Sequence, residues 1–246
     1  MAGLWNKIKT LQDRCRPLCT VIVPAAGTSS RMGGENKMFI PLCGVPVLVR
    51  TLQAIDQAEL VDEIIVATQE ELLEQVAALC AEAGLRKRVK VVRGGATRTE
   101  SVLAAAMEAD PKSQILAVHD GARPLILPSE FDDVIRFACT TYAAAPAVPV
   151  NDTIKVADEN GLVSATLDRS TLFAIQTPQV FQADLLKAAL QAVVQNAVSV
   201  TDDCAAVERL GKKVYLTQGS RENIKITTPV DIAIAEAIIR QRGQEK

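Results

Sequence analysis

Strand-like and helix-like segments alternate four times over roughly the first 150 residues of this sequence, which restricts the fold to a narrow class. The strand-like segments are apolar and rich in β-branched residues, and they cover residues 21–23, 62–68, 88–93 and 114–119. Segments with the apolar spacing of a helix follow them, at residues 46–57, 70–83, after Thr97 and at 130–142. Because strands separated by helices pair in parallel, the pattern predicts an α/β fold with a mostly parallel sheet and helices on both faces.

The pattern changes after a further apolar strand at residues 143–150. Residues 153–156 and 162–167 flank Asn160-Gly161, a strong hairpin-turn signal, so we predict a projecting antiparallel β-arm at about 151–172. The remainder returns to α/β, with helices at 183–196 and 202–210, a strand at 213–217 and a last helix from about Pro229. We therefore expect an N-terminal extension, residues 1–18, and a single domain, residues 19–246.

The loop after the first strand has the composition of a phosphate-binding segment. Residues 24–37 are Pro-Ala-Ala-Gly-Thr-Ser-Ser-Arg-Met-Gly-Gly-Glu-Asn-Lys, so small residues precede two cations, Arg31 and Lys37. Small residues let backbone N–H groups approach a phosphate, and the cations supply positive charge. The loop lacks both the Gly-Lys-Ser/Thr of a Walker loop and the G-x-G-x-x-G of a dinucleotide site. It predicts a phosphate-bearing ligand of another kind.

Two more candidate ligand-binding stretches follow later strands. Gly94-Gly95-Ala96 comes after the third strand and Asp120-Gly121-Ala122-Arg123 after the fourth. Open parallel sheets bind ligands at the carboxyl ends of their strands, so we expect all three stretches on one rim. Two questions stay open: Asp120 could accept bonds from loop amides or bind Mg²⁺, and the Ser101 hydroxyl could meet ligand or solvent.

Other polar positions have structural explanations. Thr201-Asp202-Asp203 has the form of a helix N-cap with acids that complement the helix dipole. Lys225 lies between two isoleucines; on a strand it would occupy the opposite face, where a solvated lysine is the default. Cys43 and His119 have no partner at helpful spacing and are expected in packing roles.

Composition excludes several classes of protein. A net charge of −2 gives no general attraction for nucleic acid or an anionic membrane, and no apolar run approaches the roughly 20 residues of a membrane-spanning helix. The chain has a single histidine, which excludes a metal site built from several histidines. This histidine has no partner at a helpful spacing, which also argues against a Ser-His-Asp triad. The six dispersed cysteines fit free thiols in a cytoplasmic chain. Residues 1–18 lack a secretory signal, and organellar import through them stays an alternative.

Taken in order, the motifs resemble those of the 2-C-methyl-D-erythritol 4-phosphate cytidylyltransferase family. The resemblance covers about residues 20–240 and opens with Pro24-Ala25-Ala26-Gly27, Arg31-Met32, Lys37 and residues 42–48. It continues through residues 118–124, Asp152-Thr153, Asp168-Arg169, residues 176–179, Thr201-Asp202 and residues 223–225. The opening loop and Thr-Pro-Gln also occur in other nucleotidyltransferases. The resemblance to this family therefore depends on the whole set of motifs occurring in the same order.

The resemblance implies a Rossmann-like fold, a homodimer formed through the β-arm, and transfer of CMP from CTP to 2-C-methyl-D-erythritol 4-phosphate. The partners it implies are CTP and a polyol phosphate, with Mg²⁺ or another divalent cation as cofactor and pyrophosphate as the leaving product. Attack of a phosphate oxygen on phosphorus needs alignment and charge neutralisation rather than a covalent nucleophile. A chain with one histidine can therefore be such an enzyme.

The same resemblance assigns roles to individual positions. The implied catalytic residues are Arg31, Lys37, Arg169 and Lys225. Residues implied to bind the polyol phosphate are Thr153, Arg169, Thr177, Thr201 and Lys225. Residues implied to bind the nucleotide are Pro24, Ala25, Ala26, Gly27, Thr28, Gly95, Ala96, Ser101, Asp120 and Ala122, and Asp120 is also the implied metal contact.

Two departures and two alternatives accompany this resemblance. Asn36 stands where the family often has proline, and the spacing from Arg31 to Lys37 is shorter than in some members. Ribitol 5-phosphate cytidylyltransferase shares the opening loop, Thr-Pro-Gln and the segment around Lys225, while Asp168-Arg169 favours the isoprenoid enzyme. The chain could also be a nucleotide-binding protein without catalytic activity, although its retained cations and Asp120 argue for an enzyme.

Overall fold

The computed structural model describes residues 16–27 and 36–244. The strands are β1 (Cys19–Pro24), β2 (Pro41–Leu42), β3 (Val45–Pro46), β4 (Glu63–Thr68), β5 (Arg88–Arg93), β6 (Ile115–Val118), β7 (Ala143–Pro149), β8 (Lys155–Ala157), β9 (Val163–Thr166), β10 (Phe173–Ile175), β11 (Gln179–Gln182) and β12 (Tyr215–Gln218). The α-helices are α1 (Val47–Gln57), α2 (Leu73–Glu82), α3 (Arg98–Met107), α4 (Pro128–Thr141), α5 (Ala183–Gln195), α6 (Asp203–Arg209) and α7 (Pro229–Gln244). Short 3₁₀ turns occupy Glu70–Leu72 and Arg169–Thr171.

Within the described ranges, eight strands form one sheet in the order β10-β7-β11-β6-β1-β4-β5, with β12 also paired to β7. Strands β6, β1, β4 and β5 are parallel, as the alternation of strands and helices predicted. Strand β11 is antiparallel and lies between β6 and β7, while β12 pairs with β7 in parallel. The sheet is therefore mostly parallel around β1, where the carboxyl ends of four strands meet.

The sheet separates two apolar cores. Val21 and Val23 of β1 belong to one core and Ile22 to the other, because successive side chains of a strand point to opposite faces. Helices α1, α2, α4 and α7 contribute buried residues to the first core. Helices α3, α5 and α6 contribute to the second. The prediction of helices on both faces is confirmed.

Strands β8 and β9 form the predicted arm. They pair antiparallel, with Lys155 opposite Thr166, and every residue of both strands is exposed. The turn is closed by backbone bonds from Asp158 N–H to the Leu162 carbonyl and from Gly161 N–H to the Asp158 carbonyl. Gly161 has a φ of +82°, a conformation that favours glycine. The Asn-Gly signal therefore located the turn correctly.

The structure differs from the sequence interpretation in two places. Residues 223–227, considered as a strand carrying Lys225, have no regular secondary structure, and Ile226 N–H donates instead to the Ala122 carbonyl at 2.8 Å. The short strands β10 and β11 were not predicted at all.

No helix within the described part of the chain is long and apolar enough to cross a bilayer. The extension falls mostly outside the described residues, so the division at residues 18 and 19 stays a prediction.

Candidate active site

A cleft of about 900 Å³ opens at the carboxyl ends of the parallel strands. The three stretches predicted from strand ends meet there. Its lining includes Pro24, Ala26 and Gly27 from the first stretch, residues 94–96 from the second and residues 120–122 from the third. Lys37 and Lys225 also line the cleft. A volume of this size suits a small-molecule ligand, and two lysines on its wall suit an anionic one.

The glycine loop after β5 is braced by the side chain of Ser101. The Ser101 hydroxyl accepts from Gly95 N–H at 3.1 Å and donates to the Thr97 carbonyl at 2.9 Å. A Cβ added to Gly94 would lie only 2.6 Å from Ser101 Oγ, so this close approach requires glycine. Thr97 and Glu100 form a capping box at the start of α3, which fixes the other end of the loop.

The carboxylate of Asp120 is the negative centre of the cleft. Lys225 Nζ lies 2.9 Å from Oδ2, Arg123 Nε lies 3.5 Å from Oδ2, and Arg98 lies 3.6 Å from Oδ1. Burial alone would raise the pKa of Asp120, but the attraction of Lys225, Arg98 and Arg123 outweighs it and holds that pKa well below its usual range. Asp120 is therefore ionised at neutral pH, surrounded by cations that can also face an anionic ligand.

Arg98 joins Asp120 to a second, fully buried carboxylate. Its guanidinium donates to Asp203 Oδ2 at 2.8 Å, and Gln179 Oε1 accepts from the N–H groups of Asp203 and Cys204 at 3.0 Å each. Burial raises the pKa of Asp203, an effect that Arg98 partly offsets. Asp202 caps α6 by accepting from Ala205 N–H at 2.8 Å, which confirms the predicted N-cap.

The irregular segment 223–226 holds Lys225 over Asp120. Arg123 donates to the Asn223 carbonyl at 2.7 Å, and Asn223 Nδ2 donates to the Thr177 carbonyl at 2.9 Å. With the Ile226–Ala122 bond, these contacts fix the segment on both sides of Lys225. The ion pair of Lys225 with Asp120 replaces the expected solvated position.

His119 and Thr177 lie directly beneath Asp120. His119 directly follows β6 and is fully buried, and its ring contacts that of Phe131 at a centroid distance of 5.4 Å. Burial lowers the pKa of His119 to about 4, so the ring is neutral at pH 7. The expectation of a packing role for His119 is thus correct, although the ring also makes two polar contacts.

The structure separates the predicted site residues into three groups. The predicted residues that line the cleft are Pro24, Ala26, Gly27, Lys37, Gly95, Ala96, Ser101, Asp120, Ala122 and Lys225. Those that do not line it are Ala25, Thr153, Arg169, Thr177 and Thr201. Arg31 and Thr28 lie outside the described residues.

Each residue away from the cleft has an identifiable environment. Ala25 donates its N–H to the Ala67 carbonyl at 2.7 Å, so that donor is used within the sheet. Thr177 is buried, whereas Thr201 is exposed beside the α6 cap. Thr153 and Arg169 are exposed near the arm, and Arg169 donates to the Asn151 carbonyl at 2.9 Å.

Sequence reasoning gave no individual role to three residues that shape the cleft. Arg98 and Gln69 line it, and Gln69 Nε2 donates to the Ala26 carbonyl at 2.9 Å, which holds the first loop. Arg123 supports both Asp120 and the Lys225 segment. Arg123 carried a usable signal, since it ends the Asp120-Gly-Ala-Arg stretch. Arg98 also carried a signal, because it directly follows Thr97, the N-cap of a helix whose first residues lie at the rim of the cleft.

The oxygen ligands of the cleft suit a divalent cation only together with a phosphate-bearing ligand. The described residues contain no group of three or more His, Cys, Asp or Glu side chains that could hold a metal alone. Mg²⁺ needs fewer protein ligands when substrate phosphates complete its shell, and one carboxylate such as Asp120 then suffices. The site therefore fits a cation shared with a polyphosphate and does not fit a closed structural metal site.

Comparisons with known proteins place these features in one family. A family model described as 2-C-methyl-D-erythritol 4-phosphate cytidylyltransferase (IspD) matches residues 19–241. The chain is similar to the protein of that name from Symbiobacterium thermophilum, with 42% identity over 227 residues, 92% of this chain and 94% of the relative.

Solved structures similar to this chain carry names of the same family. That of 4-diphosphocytidyl-2C-methyl-D-erythritol synthase from Anaerococcus prevotii has a TM-score of 0.82 and 29% identity, and the match covers 92% of this chain and 97% of that one. That of 2-C-methyl-D-erythritol 4-phosphate cytidylyltransferase from Thermus thermophilus has a TM-score of 0.74 and 30% identity, and covers 91% of this chain and 99% of that one. The resemblance found in the sequence motifs is confirmed.

Proposed function

This chain belongs to the 2-C-methyl-D-erythritol 4-phosphate cytidylyltransferase family, and from that premise we propose how its cleft carries out the reaction. The enzyme transfers CMP from CTP to 2-C-methyl-D-erythritol 4-phosphate in the non-mevalonate isoprenoid pathway. The products are 4-diphosphocytidyl-2-C-methyl-D-erythritol and pyrophosphate. The observation that supports the cleft as the reaction site is its lining by both Lys37 and Lys225 beside the small-residue loop.

The chemistry requires little of the protein beyond alignment and charge. An oxygen of the acceptor's phosphate attacks the α-phosphorus of CTP, the bond from that phosphorus to the bridging oxygen breaks, and pyrophosphate leaves with the electron pair. In our proposal Lys37, Arg31 and Lys225 neutralise charge that develops on the phosphoryl oxygens. Their ammonium and guanidinium groups need no proton transfer, which agrees with a cleft that contains no histidine among its described lining residues.

The nucleotide is assigned to the rim formed by the three strand-end stretches. We propose that the backbone of six residues that line the cleft holds the nucleoside: Pro24, Ala26, Gly27, Gly95, Ala96 and Ala122. The family resemblance adds Ala25 and Thr28 to this set, and Ser101 maintains the glycine loop. Thr153, Arg169 and Thr201 are proposed to reach the polyol phosphate from outside the cleft wall. Because Thr153 and Arg169 lie near the exposed arm, we propose that the arm of a partner chain completes the acceptor site in a homodimer.

Asp120 is the residue proposed to hold a divalent cation, preferably Mg²⁺, together with phosphate oxygens of CTP. When bound, such a cation would add positive charge next to the phosphates of the nucleotide. Asp120 is suited to this task because its carboxylate stays ionised and lies on the cleft wall. We also propose a cytoplasmic location, which the free cysteines among the described residues support, and no nucleic-acid or membrane partner.

The proposal is tested by pyrophosphate release with CTP and Mg²⁺, in parallel reactions with 2-C-methyl-D-erythritol 4-phosphate and ribitol 5-phosphate. We expect release with the first acceptor, none with the second, and loss of release when a chelator removes the metal. Release with ribitol 5-phosphate alone would contradict the acceptor assignment. No release with either acceptor, despite CTP binding, would favour the non-catalytic alternative.

A further inference from the structure

Arg242, near the end of α7, joins the two loops that meet at the ion pair of Lys225 with Asp120. Its Nε and Nη2 donate to Glu222 Oε2 at 3.0 Å and 2.7 Å, and its Nη1 donates to the Leu125 carbonyl at 2.9 Å. Glu222 lies three residues before Lys225. Leu125 lies five residues after Asp120. One side chain of α7 therefore contacts both loops.

Short backbone turns connect these contacts to the ion pair. Ile224 N–H donates to the Glu222 carbonyl at 2.7 Å, which forms a tight turn directly before Lys225. In the other loop, Arg123 N–H donates to the Asp120 carbonyl at 3.0 Å, so a second turn follows Asp120. A shift at the outer end of either loop would therefore move Lys225 Nζ relative to the Asp120 carboxylate, from which it lies 2.9 Å away.

The contact between the loops requires the planar fork of an arginine. Three N–H groups held in one plane reach a carboxylate and a carbonyl at fixed positions, which a lysine ammonium on a flexible chain cannot do. The side chain of Arg242 is 27% exposed and that of Glu222 is 47% exposed, so solvent weakens the attraction between their charges. The effect of the contact is therefore geometric, since it fixes where the two loops lie.

We propose that Arg242 is a positioning residue for the reaction, which acts through Glu222 to hold Lys225 in place. Neither Arg242 nor Glu222 lines the cleft. The inference rests on the proposed function, in which Lys225 acts at the transferring phosphoryl group and at the phosphate of the acceptor. Loss of Arg242 should therefore impair the use of the acceptor while every side chain of the cleft is retained.

The first test compares Arg242→Met with the matched control Arg240→Met. Each change removes one positive charge from the last turns of α7, but Arg240 pairs with Glu236 within the helix, at 2.8 Å. Pyrophosphate release at saturating CTP gives kcat and KM for 2-C-methyl-D-erythritol 4-phosphate. Arg242→Met should lower kcat/KM roughly tenfold, through a higher KM and a lower kcat, as for a lost hydrogen bond to a charged group. Arg240→Met should stay within about twofold of wild type, and the same result for Arg242→Met would overturn the proposal.

A double-mutant cycle separates positioning of Lys225 from a general effect on the structure. In the Lys225→Met background, Arg242→Met should lower kcat/KM by less than about twofold, because the side chain that it positions is already absent. Equal losses in the two backgrounds would overturn the proposal. Arg242→Lys keeps the charge without the fork and should be as impaired as Arg242→Met, whereas wild-type kinetics of the lysine variant would refute the geometric argument.

A measurement without turnover keeps these outcomes distinct from failure of the proposed reaction. Acetic anhydride acylates lysines in the absence of substrates, and mass spectrometry compares the rate at Lys225 with that at Lys112, which is exposed. An amine held against a carboxylate is less available to the reagent, so Arg242→Met should raise the relative rate at Lys225 roughly threefold, and Arg240→Met should not. Equal labelling of Lys225 in wild type and Arg242→Met would overturn the proposal whatever the protein catalyses. Thermal unfolding verifies that each variant folds, and Arg242→Gln replaces Arg242→Met if the latter does not.

Discussion

Single side chains from distant parts of the chain supply the electrostatics of the cleft. Asp120 follows β6, Arg98 opens α3 and Lys225 lies in the irregular segment before α7. Only the fold brings these residues within 3.6 Å of one carboxylate. Since each partner is at least partly buried, their interaction is stronger than that of an exposed surface pair.

The lysines of the cleft should be needed for turnover rather than for folding. Lys37→Met and Lys225→Met remove a positive charge at the phosphates and keep a side chain of similar length. We expect kcat to fall roughly 100-fold or more in each variant, and we expect the same for Arg31→Met, as for the loss of a transition-state donor. Pyrophosphate release measures the effect, with Lys112→Met as control because Lys112 is exposed and absent from the cleft lining. Turnover like that of wild type would refute the assigned roles.

His119 should make folding stability depend on pH below neutrality. Its folded pKa is lowered from 6.5 to about 4, so the unfolded chain takes up a proton that the folded one does not as the pH falls below about 6.5. Folding should lose about 2 kcal/mol of stability between pH 7 and pH 5 from this residue alone. Urea unfolding of metal-free protein at both pH values measures the loss.

His119→Asn is the control for that experiment, because His119 is the only histidine of the chain. The variant should lose about 2 kcal/mol less than wild type over the same interval. Equal losses in the two proteins would contradict a buried, neutral ring.

The residues of the cleft were predictable where a local pattern marked them. The glycine stretches and Asp120 follow strands directly, so their common rim could be inferred from the rule for parallel sheets. Arg98 and Asp203 could not be paired in advance, because Asp203 lies 105 positions after Arg98 and each has a sufficient local explanation, one at a helix start and the other after an N-cap. The bracing role of Ser101 depends on a loop conformation that spacing alone does not specify.

At the scale of elements, helix starts contribute much of the local order near the cleft. Asp231, in the first turn of α7, accepts four hydrogen bonds at Oδ2, from the N–H and hydroxyl groups of Thr227 and Thr228. These bonds join the helix to the segment that carries Lys225. The sequence predicted a last helix from about Pro229, and α7 begins at Pro229 as expected.

Removing this carboxylate should destabilise the protein without altering the cleft chemistry directly. Asp231→Ala should lower the free energy of unfolding by about 1–2 kcal/mol, the usual cost of a lost helix cap. Urea unfolding at pH 7 measures it, and Asp231→Asn, which keeps an acceptor oxygen, should lose less. Equal stability of Asp231→Ala and wild type would show that these contacts contribute nothing.

Elements with long, periodic patterns were predictable, and short or irregular ones were not. The parallel strands and most helices were recognised because apolar spacing repeats over many residues. Strand β11 has only four residues, two of them glutamine, and its pairing with β6 depends on a partner more than 60 positions earlier. Residues 223–227 show alternation typical of a strand, but their backbone bonds to the loop after β6 instead.

At the scale of the whole molecule, exposed apolar side chains concentrate on and beside the arm. Val156, Leu162, Val163, Leu167 and Phe173 are each at least 41% exposed. A cluster of this kind on an exposed hairpin is typical of a protein interface, which supports the proposed homodimer.

Charging the arm should therefore separate the subunits. Leu162→Glu combined with Val163→Glu should convert a dimer to a monomer in light scattering, and turnover should fall because Thr153 and Arg169 lie near the arm. Val230→Glu changes an equally exposed apolar residue outside the arm and serves as control. A variant that keeps the mass of two chains, or a wild type with the mass of one, would contradict the proposed interface.

The placement of β11 between β6 and β7 has a consequence for synthesis on the ribosome. Strands β6 and β7 are complete by residue 149, yet the strand that fills the gap between them ends at residue 182. Until then the nascent chain has an open apolar strand edge at β6, which invites pairing with other chains. Translation of the arm thus precedes closure of the sheet, and a stalled or truncated chain that ends before Gln179 would be prone to aggregate.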